Sequence, residues 1–176
     1  MLLVEDVRVS QKLCMASLKK AKYKSVGADN GQDAVDKFIM YQETLEVVLM
    51  DINMPGMNGM KATETIRKYE AEHRPDRDPV VILGLTGNVD AISLKNYQTC
   101  GMNGCIVKGK LLVDALKKAL RQLEENCDAF VNLSDVAMLE DNDEPASSPV
   151  RAIDCRCCAD AAPVGIFVEV SCRVCV

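Results

Sequence analysis

The chain has no tryptophan, one histidine, three phenylalanines and four tyrosines among 176 residues. Its single histidine, His73, sits in the charged stretch Glu70 to Asp78 and reads as a solvated loop residue. Histidine-built metal centres and Ser-His-Asp catalysis therefore have almost nothing to work with. Positive charge is also short: 21 Lys and Arg against 26 Asp and Glu give a formal net charge of −5. No basic tract exceeds the pairs Lys19-Lys20 and Lys117-Lys118, which argues against nucleic acid as a direct partner. No apolar run approaches membrane-spanning length, and Met1 to Val4 is too short for a signal-peptide core before Glu5 and Asp6. A cytoplasmic protein without membrane insertion is expected.

Cysteine is not scarce, but its placement argues against a disulfide framework. Cys14, Cys100, Cys105 and Cys127 are scattered, while five more fall between Cys155 and Cys175. In a reducing compartment these are free thiols or metal ligands. Short apolar runs alternate with longer segments of helical period, the pattern of a parallel sheet covered on both faces. The predicted strands are Leu2 to Glu5, Lys24 to Ala28, Val47 to Asp51, Val80 to Thr86 and Cys105 to Lys108. Between them, apolar stripes mark helices: Val9, Leu13 and Ala16; Ala34, Val35, Phe38 and Ile39; Ala62, Ile66 and Tyr69. Asp90 to Cys100 is a weaker fourth, and Leu112, Leu116, Ala119 and Leu123 make a strong fifth. The expectation is an α/β fold, a doubly wound five-stranded parallel sheet of flavodoxin-like order 2-1-3-4-5 flanked by five helices. From about Asn126 the pattern fails, and Leu139 to Pro149 is acidic and turn-forming. The domain is placed at residues 1–124, with a linker and Cys-rich, irregular tail at 125–176.

In an open parallel sheet, ligands bind beyond the carboxyl ends of the strands, where the strand order reverses. That rule selects Glu5 and Asp6 after strand one, Asp51 after three, Thr86 after four and Lys108 after five. Strands one and three are neighbours in this order, so three carboxylates crowd together and call for a cation. Hard carboxylate oxygens with room for water suit Mg2+, which fills its octahedron from phosphate and solvent. Lys108 and the Thr86 hydroxyl can serve phosphoryl oxygens while Asp51 attacks phosphorus, giving an acyl phosphate. Taken singly, an aspartate at a strand end caps a helix and a lysine is solvated. Taken together, an acid pair, an acid, a hydroxyl and a lysine ending four strands form a demanding coincidence.

The segments Val4 to Asp6, Val48 to Gly59 (VLMDINMPGMNG), Leu85 to Asn88 and Lys108 resemble the signature of response-regulator receiver domains over residues 1–124. The flavour of Met50 to Pro55 and Leu85 to Asn88 is similar to receivers attached to hybrid sensor histidine kinases. The resemblance implies that Asp51 takes phosphoryl from a phosphohistidine, with a histidine kinase or histidine-phosphotransfer protein as donor. It implies Mg2+ on Glu5, Asp6, Asp51 and the backbone carbonyl of Asn53, and a two-component or multistep phosphorelay as setting. Asn53 and Asn88 fall where the family tunes the lifetime of the acyl phosphate. Pro55 and Gly56 make a turn, and Asn58 caps the helix beginning at Gly59.

Two positions depart from the pattern. Receivers usually follow the lysine with a cis proline, but Lys108 precedes Gly109, and a non-proline cis bond costs about 2.5 to 4 kcal/mol. Three residues before the lysine, receivers commonly carry Tyr or Phe, whose ring turns inward on activation; here stands Cys105. Both favour, as an alternative, a pseudo-receiver that binds partners without cycling phosphate. A more distant alternative is a P-loop nucleotide binder, since Gly104 to Lys110 matches seven positions of that motif, but Leu111 replaces the Mg2+-binding hydroxyl. Cys155, Cys157, Cys158, Cys172 and Cys175 could hold zinc, or belong to an irregular extension bearing palmitoylated cysteines. No kinase ATP site or phosphodonor helix is visible, so this is not a stand-alone enzyme, though a receiver promotes its own phosphorylation and dephosphorylation. The short first strand suggests a fragment, as of a hybrid kinase.

Overall fold

The computed structural model describes residues 1–87, 89–109, 112–126 and 130–133. Strands and helices alternate as β1 (Leu2–Val4), α1 (Arg8–Lys20), β2 (Val26–Ala28), α2 (Gly31–Tyr41), β3 (Val47–Asp51) and α3 (Gly59–His73). They continue as β4 (Val81–Thr86), α4 (Ala91–Thr99), β5 (Gly104–Val107), α5 (Leu112–Glu125) and β6 (Val131–Leu133). All strand pairs are parallel and the sheet runs β2-β1-β3-β4-β5-β6. The doubly wound α/β fold and the order of its first five strands are as the sequence predicts.

Successive residues of a strand point to opposite faces, and the burial follows that period of two. Leu2, Val4, Val48, Met50 and Ile82 pack with Phe38, Ala62, Ile66 and Tyr97 in one apolar cluster. Leu3, Leu49, Leu83, Leu85 and Ile106 pack with Leu18, Leu116, Ala119 and Leu123 in the other. Thus α2, α3 and α4 cover one face, while α1 and α5 cover the opposite one. Every residue of β3 is buried, as a central strand covered on both sides requires.

Three expectations need correction. Val9, Leu13 and Ala16 do form part of a helix, but that stripe faces outward: Val9 is 78% and Leu13 69% exposed. The sheet-facing stripe is Cys14, Met15 and Leu18. The side-chain amide of Gln11 helps set this rotation, donating to the Ala28 carbonyl at 2.8 Å and lying 3.2 Å from the Glu5 carbonyl. These contacts turn the opposite side of α1 to solvent. The second correction is β6, a sixth strand within the stretch read as linker, which pairs with β5 from Gly104↔Val131 to Ile106↔Leu133. Three residues are too few to show a period. Gly104 admits the new strand, because a Cβ there would stand 2.4 Å from the Val131 carbonyl oxygen. His73 ends α3 rather than lying in a loop, and its exposed ring stacks on Tyr69 at 4.2 Å.

The turn after β3 is pinned by the Gly59 N–H donating to the Ile52 carbonyl at 3.1 Å. Asn58 then caps α3 as expected, its Oδ1 accepting from the Lys61 N–H at 2.9 Å. Replacing Asn58 with alanine should cost about 1 kcal/mol, read as a lower urea midpoint with an unchanged slope.

Candidate functional site

The register of β1 on β3, Val4 against Met50, sets Glu5 beside Asp51 at the carboxyl ends of the two strands. Glu5, Asp6 and Asp51 each bring a carboxylate oxygen to within 4.8 Å of the others. Glu5 and Asp51 are each only 2% exposed, and Asp6 is half-buried. Lys108, directly after β5, reaches into the group: its Nζ donates to Asp51 Oδ2 at 2.6 Å and to Glu5 Oε2 at 3.0 Å. Burial pulls the Lys108 ammonium toward the neutral form. The hydrogen bonds and charges of Asp51 and Glu5 outweigh that pull and hold it above the usual lysine value. The lysine is aimed by its own backbone, whose N–H donates to the Thr86 carbonyl at 2.9 Å and extends the β4–β5 ladder.

Asp51 Oδ1 accepts the Asn53 N–H at 3.1 Å, which fixes the carboxylate's orientation at the start of the turn. Thr86, fully buried at the end of β4, faces the Tyr97 hydroxyl with its Oγ1 at 3.1 Å. The fold thus gathers Glu5, Asp6, Asp51 and Lys108 at one point and ends β4 with Thr86 beside Lys108. Asn53 is exposed beside them. Asn88 lies outside the described residues, as do Cys127 and the cysteines of the tail from Cys155 to Cys175.

All peptide bonds among the described residues are trans, Lys108–Gly109 included. Gly104–Val107 is strand β5, so four residues of the would-be phosphate loop are extended and paired with β4, and the first three of them with β6 as well. That arrangement contradicts a P-loop. Cys105 is wholly buried, its Sγ 3.5 Å from Asn132 Oδ1 on β6. Burial pushes its thiol from an ordinary value of 9.0 up to about 11. A folded pKa above the unfolded one favours the native state below pH 9, and the advantage is lost as pH rises through 11. That loss amounts to roughly 2 to 3 kcal/mol. Urea titrations of the wild type and Cys105→Ala at about pH 8.5 and about pH 10.5 should show a steeper decline in the wild type.

Two contributors escaped the sequence reading. Gln11 is masked by its polar neighbours on α1, and Tyr97 lies in the segment with the weakest helical pattern. Tyr97 is one of only four tyrosines in the chain, a scarcity that was the one signal to be had, and it is the buried residue of α4.

The chain matches the family described as response regulator receiver domain over residues 1–121. It is 34% identical over 110 residues to the two-component response regulator ORR42 of Oryza sativa subsp. japonica, covering 62% of this chain and 76% of that one. It is 28% identical over 130 residues to hybrid signal transduction histidine kinase K of Dictyostelium discoideum, covering 71% of this chain. The chain spans 11% of that kinase, and 3% of the related kinase M. Among solved structures, the receiver domain of Saccharomyces cerevisiae Ssk1, co-crystallised with the histidine phosphotransfer protein Ypd1, is similar at a TM-score of 0.60 and 29% identity. That match covers 72% of this chain and 87% of that one. The Vibrio cholerae chemotaxis protein CheY4 shares the fold, with a TM-score of 0.56 at 24% identity over 69% of this chain and 94% of that one. With a matching family over most of its length and an acid cluster, hydroxyl and lysine ending its strands, the chain belongs to the response regulator receiver domain family.

Proposed function

We propose that this receiver accepts a phosphoryl group on Asp51 from a phosphohistidine and relays the signal through a change of conformation. The observation that carries the reading is Asp51 itself: a buried carboxylate with one oxygen on the Lys108 ammonium and the other on a backbone N–H. Asp51 attacks phosphorus in line, and the new P–O bond forms as the donor's P–N bond breaks. The imidazole leaves with the electron pair. Lys108, already charged and in place, then serves a phosphoryl oxygen, and the Thr86 hydroxyl donates to another.

The donor set fits Mg2+. Three carboxyl groups lie within 4.8 Å of one another and one ammonium pairs with two of them, leaving formal negative charge that a hard divalent cation balances. Glu5, Asp6 and Asp51, with the Asn53 carbonyl, would hold it, and when bound it would neutralise charge on the transferred phosphoryl group. A protein partner fits the surface beside the site. Val7, Val9 and Leu13 begin directly after the acids and are 54%, 78% and 69% exposed, apolar area that a docking phosphodonor would bury. A histidine-phosphotransfer protein is the partner expected, and a cytoplasmic setting suits such an exchange. Among the described residues no helix is long and apolar enough to cross a membrane.

Incubation with Mg2+ and acetyl phosphate should add one phosphoryl mass to the chain, and excess EDTA should abolish the gain. If neither acetyl phosphate nor a phosphorylated histidine-phosphotransfer protein adds that mass, the pseudo-receiver reading takes its place.

A further inference from the structure

We propose that Tyr97, on α4, positions the Thr86 hydroxyl and carries the state of Asp51 to α4, in place of an aromatic side chain on β5. The inference rests on the phosphoacceptor reading and adds the residue that reports it. On β5 the position three before Lys108 is Cys105, a small buried thiol with no ring to turn. Tyr97 lies in the same apolar cluster as Cys105 but comes from the neighbouring helix, and its phenol meets Thr86 Oγ1 at 3.1 Å.

The buried side chain of α4 is Tyr97, at 4% exposure, while Ala91, Ile92, Lys95, Asn96, Gln98 and Thr99 face solvent. The helix therefore rests on the sheet largely through this ring. The backbone of the same residue anchors the turn that leads into β5: the Tyr97 carbonyl accepts the Met102 N–H at 3.1 Å and the Cys100 thiol at 3.0 Å. One residue joins the hydroxyl at the end of β4 to the end of α4.

A threonine hydroxyl has one proton to give and two lone pairs, and a phenol can donate or accept. Without phosphate, either oxygen of the Thr86–Tyr97 pair can be the donor. Once Thr86 gives its proton to a phosphoryl oxygen, Tyr97 must be the donor, and the chain runs from phenol to threonine to phosphoryl. Each bond in such a chain polarises and tightens the next. The phenol is drawn after the Thr86 hydroxyl toward the phosphoryl group, and α4 follows the ring on which it rests.

The test uses the full chain, with isotopically labelled amides and tyrosine rings, in Mg2+ with and without excess acetyl phosphate. Intact mass and NMR spectra are taken on the same samples. In the wild type the mass gain should come with a shift of the Tyr97 ring resonance and of the amides from Ala91 to Thr99. Tyr97→Phe removes only the hydroxyl that positions Thr86, so the chain should still gain the phosphoryl mass, more slowly than the wild type, while the α4 amide response of the phosphorylated chain is lost. Tyr41→Phe, at an exposed tyrosine outside this path, should keep both. A mass gain with an unmoved Tyr97 resonance in the wild type overturns the proposal without recourse to any variant. So does an α4 response that survives in Tyr97→Phe, since a merely structural ring would leave the response to phosphate intact. Absence of mass gain in the wild type is a different result: it overturns the phosphoacceptor reading and this proposal with it.

Discussion

Replacing Asp51 with asparagine is expected to remove all phosphoryl gain from acetyl phosphate while leaving the protein folded. An amide oxygen is a far weaker nucleophile than a carboxylate and cannot form the acyl phosphate. The fold should survive because the amide is nearly isosteric with the carboxylate it replaces. Its carbonyl oxygen can still accept the Asn53 N–H, and Lys108 keeps Glu5 at 3.0 Å. The substitution also changes the charge of the cluster in a predictable direction. Three carboxyl groups around one ammonium become two, so Mg2+ should raise the melting temperature of the variant less than that of the wild type. Intact mass and melting curves with and without Mg2+ read both effects. Persistent phosphorylation of Asp51→Asn at wild-type level would move the acceptor elsewhere.

Alanine at Gly59 is the second large effect, and here two terms oppose each other. Gly59 is the first residue of α3, and alanine in a helix is intrinsically better than glycine by about 1 kcal/mol. Against that, the added Cβ would stand 2.1 Å from the Asp51 carbonyl oxygen and 2.9 Å from Met50 Cγ. Overpacking of this kind costs roughly 1 to 3 kcal/mol, and a backbone atom cannot yield as a flexible side chain can. The clash, at the upper end of that range because a backbone atom is struck, should win, so that Gly59→Ala destabilises by about 1 to 2 kcal/mol net. Because the atom struck belongs to Asp51, the proposed phosphoacceptor, that residue should also be phosphorylated more slowly. Urea titration and the rate of mass gain measure the two consequences. Gly87→Ala supplies the stability control, since a Cβ there meets nothing within 4 Å.

The legibility of this fold varied with the kind of signal each element carries. The strands were readable because β3 and β4 are apolar almost throughout, which only a sheet covered on both faces tolerates. The fifth helix was readable because Leu112, Leu116, Ala119 and Leu123, all buried, recur near the helical period. The first helix misled, because Val9 and Leu13 are as apolar as any inward stripe yet lie on the solvent side. Its rotation depends partly on hydrogen bonds from Gln11 to carbonyls of other elements, which hydropathy does not register.

The sequence by itself determined the alternation of strands and helices, the apolar residues of most of the core, and the set Glu5, Asp6, Asp51, Thr86 and Lys108. Those follow from periodicity and from residue type at strand ends, both local properties. Only the tertiary structure decided which face of α1 is buried, that a sixth strand pairs with β5, and that Tyr97 meets Thr86 across 11 residues of chain. Each of these depends on the packing of one element against another, which a period read along a single element does not encode.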